Sequence, residues 1–125
     1  FRELVSSRGS KQKLVQLNPG QKVSEALDLM KKFEIEHIPV FENGTPVGSI
    51  SENGLFDKIL HHQSDIREKE VAEVMEKPFP EVSFDTPVDR LSGFISRENG
   101  AVLGRDEGGT YHIVTKYDII RSLSK

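Results

Sequence analysis

The strongest constraint on this chain is an internal repeat. Pro46-Val-Gly48-Ser-Ile-Ser51-Glu-Asn-Gly54-Leu-Phe and Thr110-Tyr-His112-Ile-Val-Thr115-Lys-Tyr-Asp118-Ile-Ile share one plan. Each is a β-rich run, a hydroxyl residue, two further residues and then an apolar helical stretch. The hydroxyl recurs as Ser51 and Thr115, but the position three residues on is Gly54 in one copy and Asp118 in the other. One copy offers a small sheet with helices on one side and little core. Two copies packed about a pseudo-twofold axis would supply that core, so the expected fold class is α+β, two related repeats of sheet and helices.

The rest of the chain fits this plan. Leu14–Leu17 is a strand candidate stopped by Asn18-Pro19-Gly20. Ser24 is a candidate cap for a helix carrying Val23, Ala26, Leu27, Met30 and Phe33 at helical spacing. Ile38–Phe41 and Val47–Ile50 read as strands joined by an Asn43-Gly44 turn. Leu55, Phe56, Ile59 and Leu60 mark a helix face ending near His61-His62. Val71, Val74 and Met75 suggest a short helix before Pro78. Val82–Phe84 reads as a strand, and Thr86-Pro87 as a cap with proline at the first helical position, opening a helix with Leu91, Phe94 and Ile95. Ala101–Leu103 and Tyr111–Val114 form a strand pair around a turn at Asp106–Gly109, and Asp118–Leu123 is the last helix. The expected divisions are 1–13 as a linker or N-terminal arm, 14–62 as the first repeat, 63–80 as an inter-repeat linker with a short helix, and 81–124 as the second repeat.

Composition narrows the function classes. The 125 residues carry a formal net charge of -3, a mild acidity that gives no general reason to expect nucleic-acid binding. There is no cysteine, so a disulfide framework and a thiolate metal site are both out. The apolar runs are far too short for a membrane span, and a cytoplasmic location is expected. No P-loop or nucleophile–base set stands out, so no catalytic residue is expected. His61-His62 with Asp57 and Asp65 does not make a metal site, because adjacent helical side chains diverge.

The Ile38-Pro-Val40 segment, the Gly48-Ser-Ile-Ser51 end of the first copy and Ile113-Val-Thr115-x-x-Asp118 in the second resemble, in their order, a tandem pair of cystathionine-β-synthase-type (CBS) domains, the Bateman module. The resemblance covers about residues 14–124. Gly48-Ser-Ile-Ser51-Glu-Asn-Gly54, Val71-Ala-Glu-Val-Met75 and Asp85-Thr-Pro-Val-Asp-Arg-Leu91 are further similar to the C-terminal regulatory region of cystathionine β-synthase. In that enzyme the region follows a pyridoxal-phosphate catalytic domain and, in animal forms, binds S-adenosylmethionine.

The resemblance implies a regulatory module that senses an adenosyl compound and modulates an attached catalytic domain, and that pairs as a homodimer. S-adenosylmethionine, AMP, ADP and ATP are the effectors it implies, with no required cofactor. A carboxylate such as Asp118 can accept a hydrogen bond from each hydroxyl of a ribose, and Thr115 lies one turn earlier. The same two residues also fit a simple helix-start signal. In such modules the acid works with apolar residues of the other copy, which here are Ile35, His37, Ile38 and Pro39, with Ile113, Val114 and Tyr117 beside the acid. Ile38 and Ile113 would wall an adenine. His112 stands where the family commonly has glycine, and would narrow the approach. Gly54 lacks a carboxylate, so the first-copy site, with Ser51 and Asn53 facing Asn99-Gly100-Ala101, is expected to be empty or poor. The alternative is a ligand-independent dimerisation module using apolar faces around Leu55, Phe56, Leu91 and Phe94.

Overall fold

A computed structural model describes residues 1–7, 14–61, 65–96 and 99–123. Contacts divide the chain into two compact units, one Val15–Pro78 and the other Phe1–Leu14 with Phe79–Lys125. Both are mixed α+β, as the repeat pattern requires.

Arg2–Ser7 forms helix α1 of the second of these units, and Val23–Phe33 forms α2 of the unit Val15–Pro78. In α2, Val23, Ala26 and Met30 turn one apolar stripe into the core. Ser24 is not the cap. The cap is Lys22, two residues earlier, because the Val23 amide donates to the Lys69 carbonyl at 2.9 Å and Lys22 is extended, with its own amide donating to the Glu25 carboxylate at 3.3 Å. At the other end Glu34 takes a left-handed conformation (φ 53°), and its amide closes onto the Met30 carbonyl.

Strands β1 (His37–Glu42) and β2 (Thr45–Ser51) pair antiparallel. The Asn43-Gly44 turn has φ of 52° and 77°, the double positive φ that a two-residue hairpin of this twist demands. The predicted strand Leu14–Leu17 shrinks to one parallel bridge, Leu17 to Val40. Leu17 bonds the Pro39 carbonyl and the Phe41 amide at 3.0 and 2.8 Å, but the next rung would need an amide hydrogen at position 39, which proline lacks.

Helix α3 (Glu52–His61) follows β2 without a loop. Leu55 enters the core, whereas Phe56, Ile59 and Leu60 stay exposed. His62 lies outside the described residues. A 3-10 turn at Ile66–Glu68 and helix α4 (Val71–Val74) then return to this unit. The stretch expected as an inter-repeat linker thus contributes Ile66, Val71 and Val74 to the core with Leu17, Ile38, Val40 and Ile50, while Arg67 and Glu68 remain in solvent. Beyond α4, Glu76 pairs with Ser49 through two backbone bonds of 3.0 and 2.9 Å. Ser49 Oγ donates to the Lys77 carbonyl at 2.5 Å. Gly48 permits this approach, since a Cβ there would stand 2.4 Å from Met75 Sδ and 3.0 Å from the Glu76 carbonyl.

In the other unit, β3 (Glu81–Ser83) runs parallel to β4 (Ala101–Arg105), which pairs antiparallel with β5 (Tyr111–Thr115). Helices α5 (Val88–Leu91) and α6 (Lys116–Leu123) complete it. Thr86 does not cap α5. Pro87 does so from an extended conformation (ψ 148°), because the Thr86 amide is held in a turn on the Ser83 carbonyl at 3.0 Å. The helix ends at Leu91, leaving Phe94 exposed beyond it, while Ile95 packs against the core.

Residues 1–7, expected as part of a linker or arm, behave otherwise. Phe1 and Leu4 are buried with Val82, Leu91, Val102 and Val114. The Phe1 ring covers Gly104, where an added Cβ would come within 2.8 Å of it. The Arg2 guanidinium lies 4.7 Å above the Phe84 ring and pairs with Asp85 and Glu107. Polar composition hid this, because an aromatic ring and one leucine suffice to anchor a short helix on a sheet.

The β4–β5 hairpin turns on Asp106. Its Oδ1 accepts the Gly108 and Thr110 amides at 2.9 and 3.0 Å, and its Oδ2 accepts from His112 Nε2 at 2.9 Å. The His112 bond, then the Thr110 amide, hold this carboxyl below its ordinary 3.8.

Gly104→Ala is expected to lower unfolding free energy by about 1–3 kcal/mol through overpacking against Phe1. Gly20→Ala, whose Cβ would meet its nearest neighbour at 3.6 Å, should change it by no more than about 0.5 kcal/mol. Urea titration of both variants checks this. A folded-state pKa below the unfolded one stabilises above the unfolded value and is lost as pH falls through the folded value. The stability gap between the parent protein and Asp106→Ala should therefore be full above about pH 4 and narrow steadily below 3.8, read as urea midpoints across pH 7 to 2.

Candidate functional site

The junction of β5 and α6 places the hydroxyl and acid singled out above. Thr115 is the last strand residue and Lys116 the first helical one, so the amides of the first turn need acceptors at once. Asp118 Oδ2 accepts the Thr115 amide at 2.9 Å, with Thr115 Oγ1 3.4 Å away. Asp118 Oδ1 accepts from Arg121 Nη2 at 2.9 Å. The helix-start reading of Thr-x-x-Asp is therefore realised, as the reciprocal half of a capping box. The carboxylate is also oriented. Its side chain is 6% exposed against 72% for its Arg121 partner, so it sits low with a mobile-length cation on its outer oxygen.

Around it, Val114 faces the core and is fully buried, while Ile113 and Thr115 are half-buried on the opposite face of β5. Tyr117 is exposed with Lys116 Nζ 5.3 Å from its ring centroid. His112 turns to Asp106 and lies 5.3 Å from the Phe84 ring, opposite Gly104 in the ladder. It is thus tied into the hairpin that carries β5.

The remaining expected residues lie in the unit Val15–Pro78. Ile38 and Pro39 are fully buried in β1, and Ile38 belongs to the core. Ile35 and His37 are half-buried at the entry to β1, with His37 paired to Ser51 in the ladder. Ser51 repeats the hydroxyl role differently from Thr115, as its Oγ accepts the Gly54 amide at 3.0 Å.

One acid here escaped sequence reasoning. A Cβ built on Gly54 would lie 2.3 Å from Glu76 Oε1 and 2.8 Å from Ser51 Oγ. The Glu76 carboxylate occupies the direction in which a side chain at position 54 would point. Glu76 lies far along the chain and no spacing rule connects it to Gly54. The clue was indirect, in a glycine standing where the other copy has an acid.

Among the described residues, no group of three or more His, Asp or Glu side chains is arranged to hold a metal ion. His61 Nδ1 instead contacts the Asp57 carbonyl of its own helix at 2.9 Å. No helix among the described residues is long and apolar enough to cross a membrane.

A family model described as the CBS domain matches this chain twice, over residues 5–61 and 71–125. The chain belongs to the CBS-domain family. It is a tandem CBS-domain pair, and solved structures agree on the fold. A CBS-domain containing protein from Agrobacterium tumefaciens is 17% identical, with a TM-score of 0.85 over 98% of this chain and 97% of its own. A signal-transduction protein with CBS domains from Burkholderia ambifaria is 16% identical, with a TM-score of 0.84 over 96% and 89%. The CBS domain pair of protein MJ0100, solved in complex with 5′-methylthioadenosine and S-adenosyl-L-methionine, is 22% identical, with a TM-score of 0.75 over 90% and 93%. Among curated proteins, none matches the chain.

In this CBS pair, Asp118→Ala should destabilise the fold by about 0.5–2 kcal/mol, because it strips the acceptor from the Thr115 amide. Arg121→Ala removes an exposed guanidinium from the buried Asp118 carboxylate and its bond to the Tyr117 carbonyl, but leaves the Thr115 amide its acceptor, and should cost less, about 0.2–1 kcal/mol. Chemical denaturation of the two variants in parallel tests that order.

Proposed function

We propose that this CBS pair is a non-catalytic regulatory module that senses an adenosyl compound. The observation that carries the reading is Asp118, a low-lying carboxylate oriented by the Thr115 amide at the mouth of α6. A carboxylate held in one orientation can accept from both hydroxyls of a ribose without first being ordered. Arg121 is the group that must move, and its exposed side chain is free to swing from Oδ1 to a ligand phosphate or to water.

In this reading Thr115 and Asp118 take the sugar, with Ile113 as an apolar wall and Tyr117 at the rim. Val114 contributes by anchoring β5 in the core. Ile35, His37, Ile38 and Pro39 are the proposed ligand contacts of the first repeat, His37 through its backbone. S-adenosylmethionine, AMP, ADP and ATP are the candidate effectors. The MJ0100 pair, carrying 5′-methylthioadenosine and S-adenosyl-L-methionine, supports this ligand class. We further propose that the module acts on an attached catalytic domain, on the pattern of the regulatory region of cystathionine β-synthase, in the cytoplasm and as a homodimer. Such regulation requires the ligand to favour one of two arrangements by its difference in affinity.

A second reading has its own observation. Phe56, Leu60, Ile120 and Leu123 are large apolar side chains left exposed on α3 and α6, which suits a module whose role is pairing alone. The readings differ in mass action. A sensor gains about 2.7 kcal/mol of stability at a ligand concentration of 100 Kd, whereas a purely structural pair gains none. Thermal shift against the four effectors, followed by calorimetric titration of the best, separates them. Asp118→Asn should weaken binding at least about tenfold, equivalent to about 1.4 kcal/mol. An unchanged affinity in that titration would remove Asp118 from the site.

A further inference from the structure

The difference between Asp118 and Gly54 implies that one repeat has an acid and the other does not. The space around Gly54 contradicts that. Glu76 Oε1 lies 2.3 Å from the Cβ position of residue 54, and Ser51 Oγ lies 2.8 Å from the same point. A hydroxyl and a carboxylate therefore both border residue 54 at the start of α3, while at the start of α6 Thr115 Oγ1 and Asp118 Oδ2 lie 3.4 Å apart. A cation accompanies each pair: Arg121 beside Asp118 and Lys58 beside Glu76. The sequence sources differ, since Arg121 aligns with Asp57 rather than Lys58 when Thr115 is set on Ser51.

We propose that Glu76 is the ribose-binding acid of the first repeat, so that the chain carries two acid-bearing nucleoside sites built from different parts of the sequence. The proposal rests on the adenosyl-sensing reading and extends it to a residue that no repeat alignment reaches.

The main chain at Glu76 is fixed along β2, which brings its side chain within reach of the start of α3. Two bonds of 3.0 and 2.9 Å tie Glu76 to Ser49, and Ser49 Oγ holds the Lys77 carbonyl. Gly48 makes room for Met75 immediately before it. The segment after α4 thus lies along β2 and delivers the side chain at 76 to the end of that strand. Gly54 leaves room for the arriving carboxylate, which a side chain at that position would have to displace.

The acid is also accessible. Its side chain is 50% exposed, and Lys58 Nζ stands 3.7 Å from Oε1, beyond hydrogen-bond range. Both oxygens can accept from a vicinal diol. Lys58, 29% exposed, would then neutralise a phosphate carried by the same ligand. The chemistry fits a ribonucleoside phosphate, with the diol on Glu76 and the phosphate near Lys58.

The test is stoichiometry. The whole chain is titrated calorimetrically with AMP, with S-adenosylmethionine and with 2′,3′-dideoxyadenosine 5′-monophosphate, which lacks the diol. The proposal expects two equivalents of AMP or of S-adenosylmethionine. Glu76→Gln should weaken one of them at least about tenfold, Asp118→Asn the other, and the dideoxy compound should bind neither site well. Moving the carboxylate back, in the Gly54→Asp/Glu76→Ala double variant, should restore the equivalent that Glu76→Gln loses. That rescue separates a lost contact from a damaged fold, and urea midpoints of each variant accompany it. If Glu76→Gln leaves every equivalent at its original affinity while Asp118→Asn abolishes binding, Glu76 is not a ribose acid and the sensing reading stands. If neither ligand binds the parent protein, both fall together.

Discussion

Each unit of this protein passes from strand to helix with no residue between. Ser51 ends β2 and Glu52 begins α3, and Thr115 ends β5 and Lys116 begins α6. A helix that starts this abruptly has first-turn amides pointing at the strand end, and side chains there must satisfy them. A hydroxyl meets that need in one unit and a carboxylate closes back on the strand end in the other. Ser51 accepts the Gly54 amide directly, whereas Thr115 gives its own amide to Asp118. From that handover follow the direction of each helix, the position of its apolar face and the polar cluster at its mouth.

Close backbone approach is the second requirement, and glycine meets it where a side chain would obstruct. Gly48 admits the segment carrying Met75 and Glu76 to β2, and Gly104 admits the Phe1 ring to β4. Both events attach a stretch that reads as linker to a sheet. In each case a few apolar anchors suffice: Ile66, Val71 and Val74 in one unit, Phe1 and Leu4 in the other. Mean polarity describes the solvent face of such a stretch and says little about its anchors.

The acids of the two units are held in different ways. Asp118 is almost wholly buried and bonded on both oxygens, which orients it at the expense of free acceptor capacity. Glu76 is half exposed and has an ion pair rather than hydrogen bonds, while its backbone is pinned. One is preorganised at the side chain, the other at the main chain. In the proposed sensing role, either acid would take a diol only as its nearby cation, Arg121 or Lys58, gives way.

Much of this was legible in the residues. The apolar period of α2, the Asn43-Gly44 hairpin, the Asp106–Gly109 turn and the recurrence of Ser51 and Thr115 are local signals, carried by side chains that act within a few positions of themselves. They determine an α+β repeat and place the hydroxyl–acid motif at a helix start. Misplaced caps at Ser24 and Thr86 show the limit of such signals, since Lys69 and Ser83 decide those starts through backbone bonds. Only the tertiary structure decided that Phe1 and Leu4 belong to a core, that Val114 is buried beside them, and that Glu76 fills the space left by Gly54. The physical reason is the same throughout. Periodicity and capping report on neighbours along the chain, whereas a carboxylate's position is set by the strand edge on which its backbone is laid.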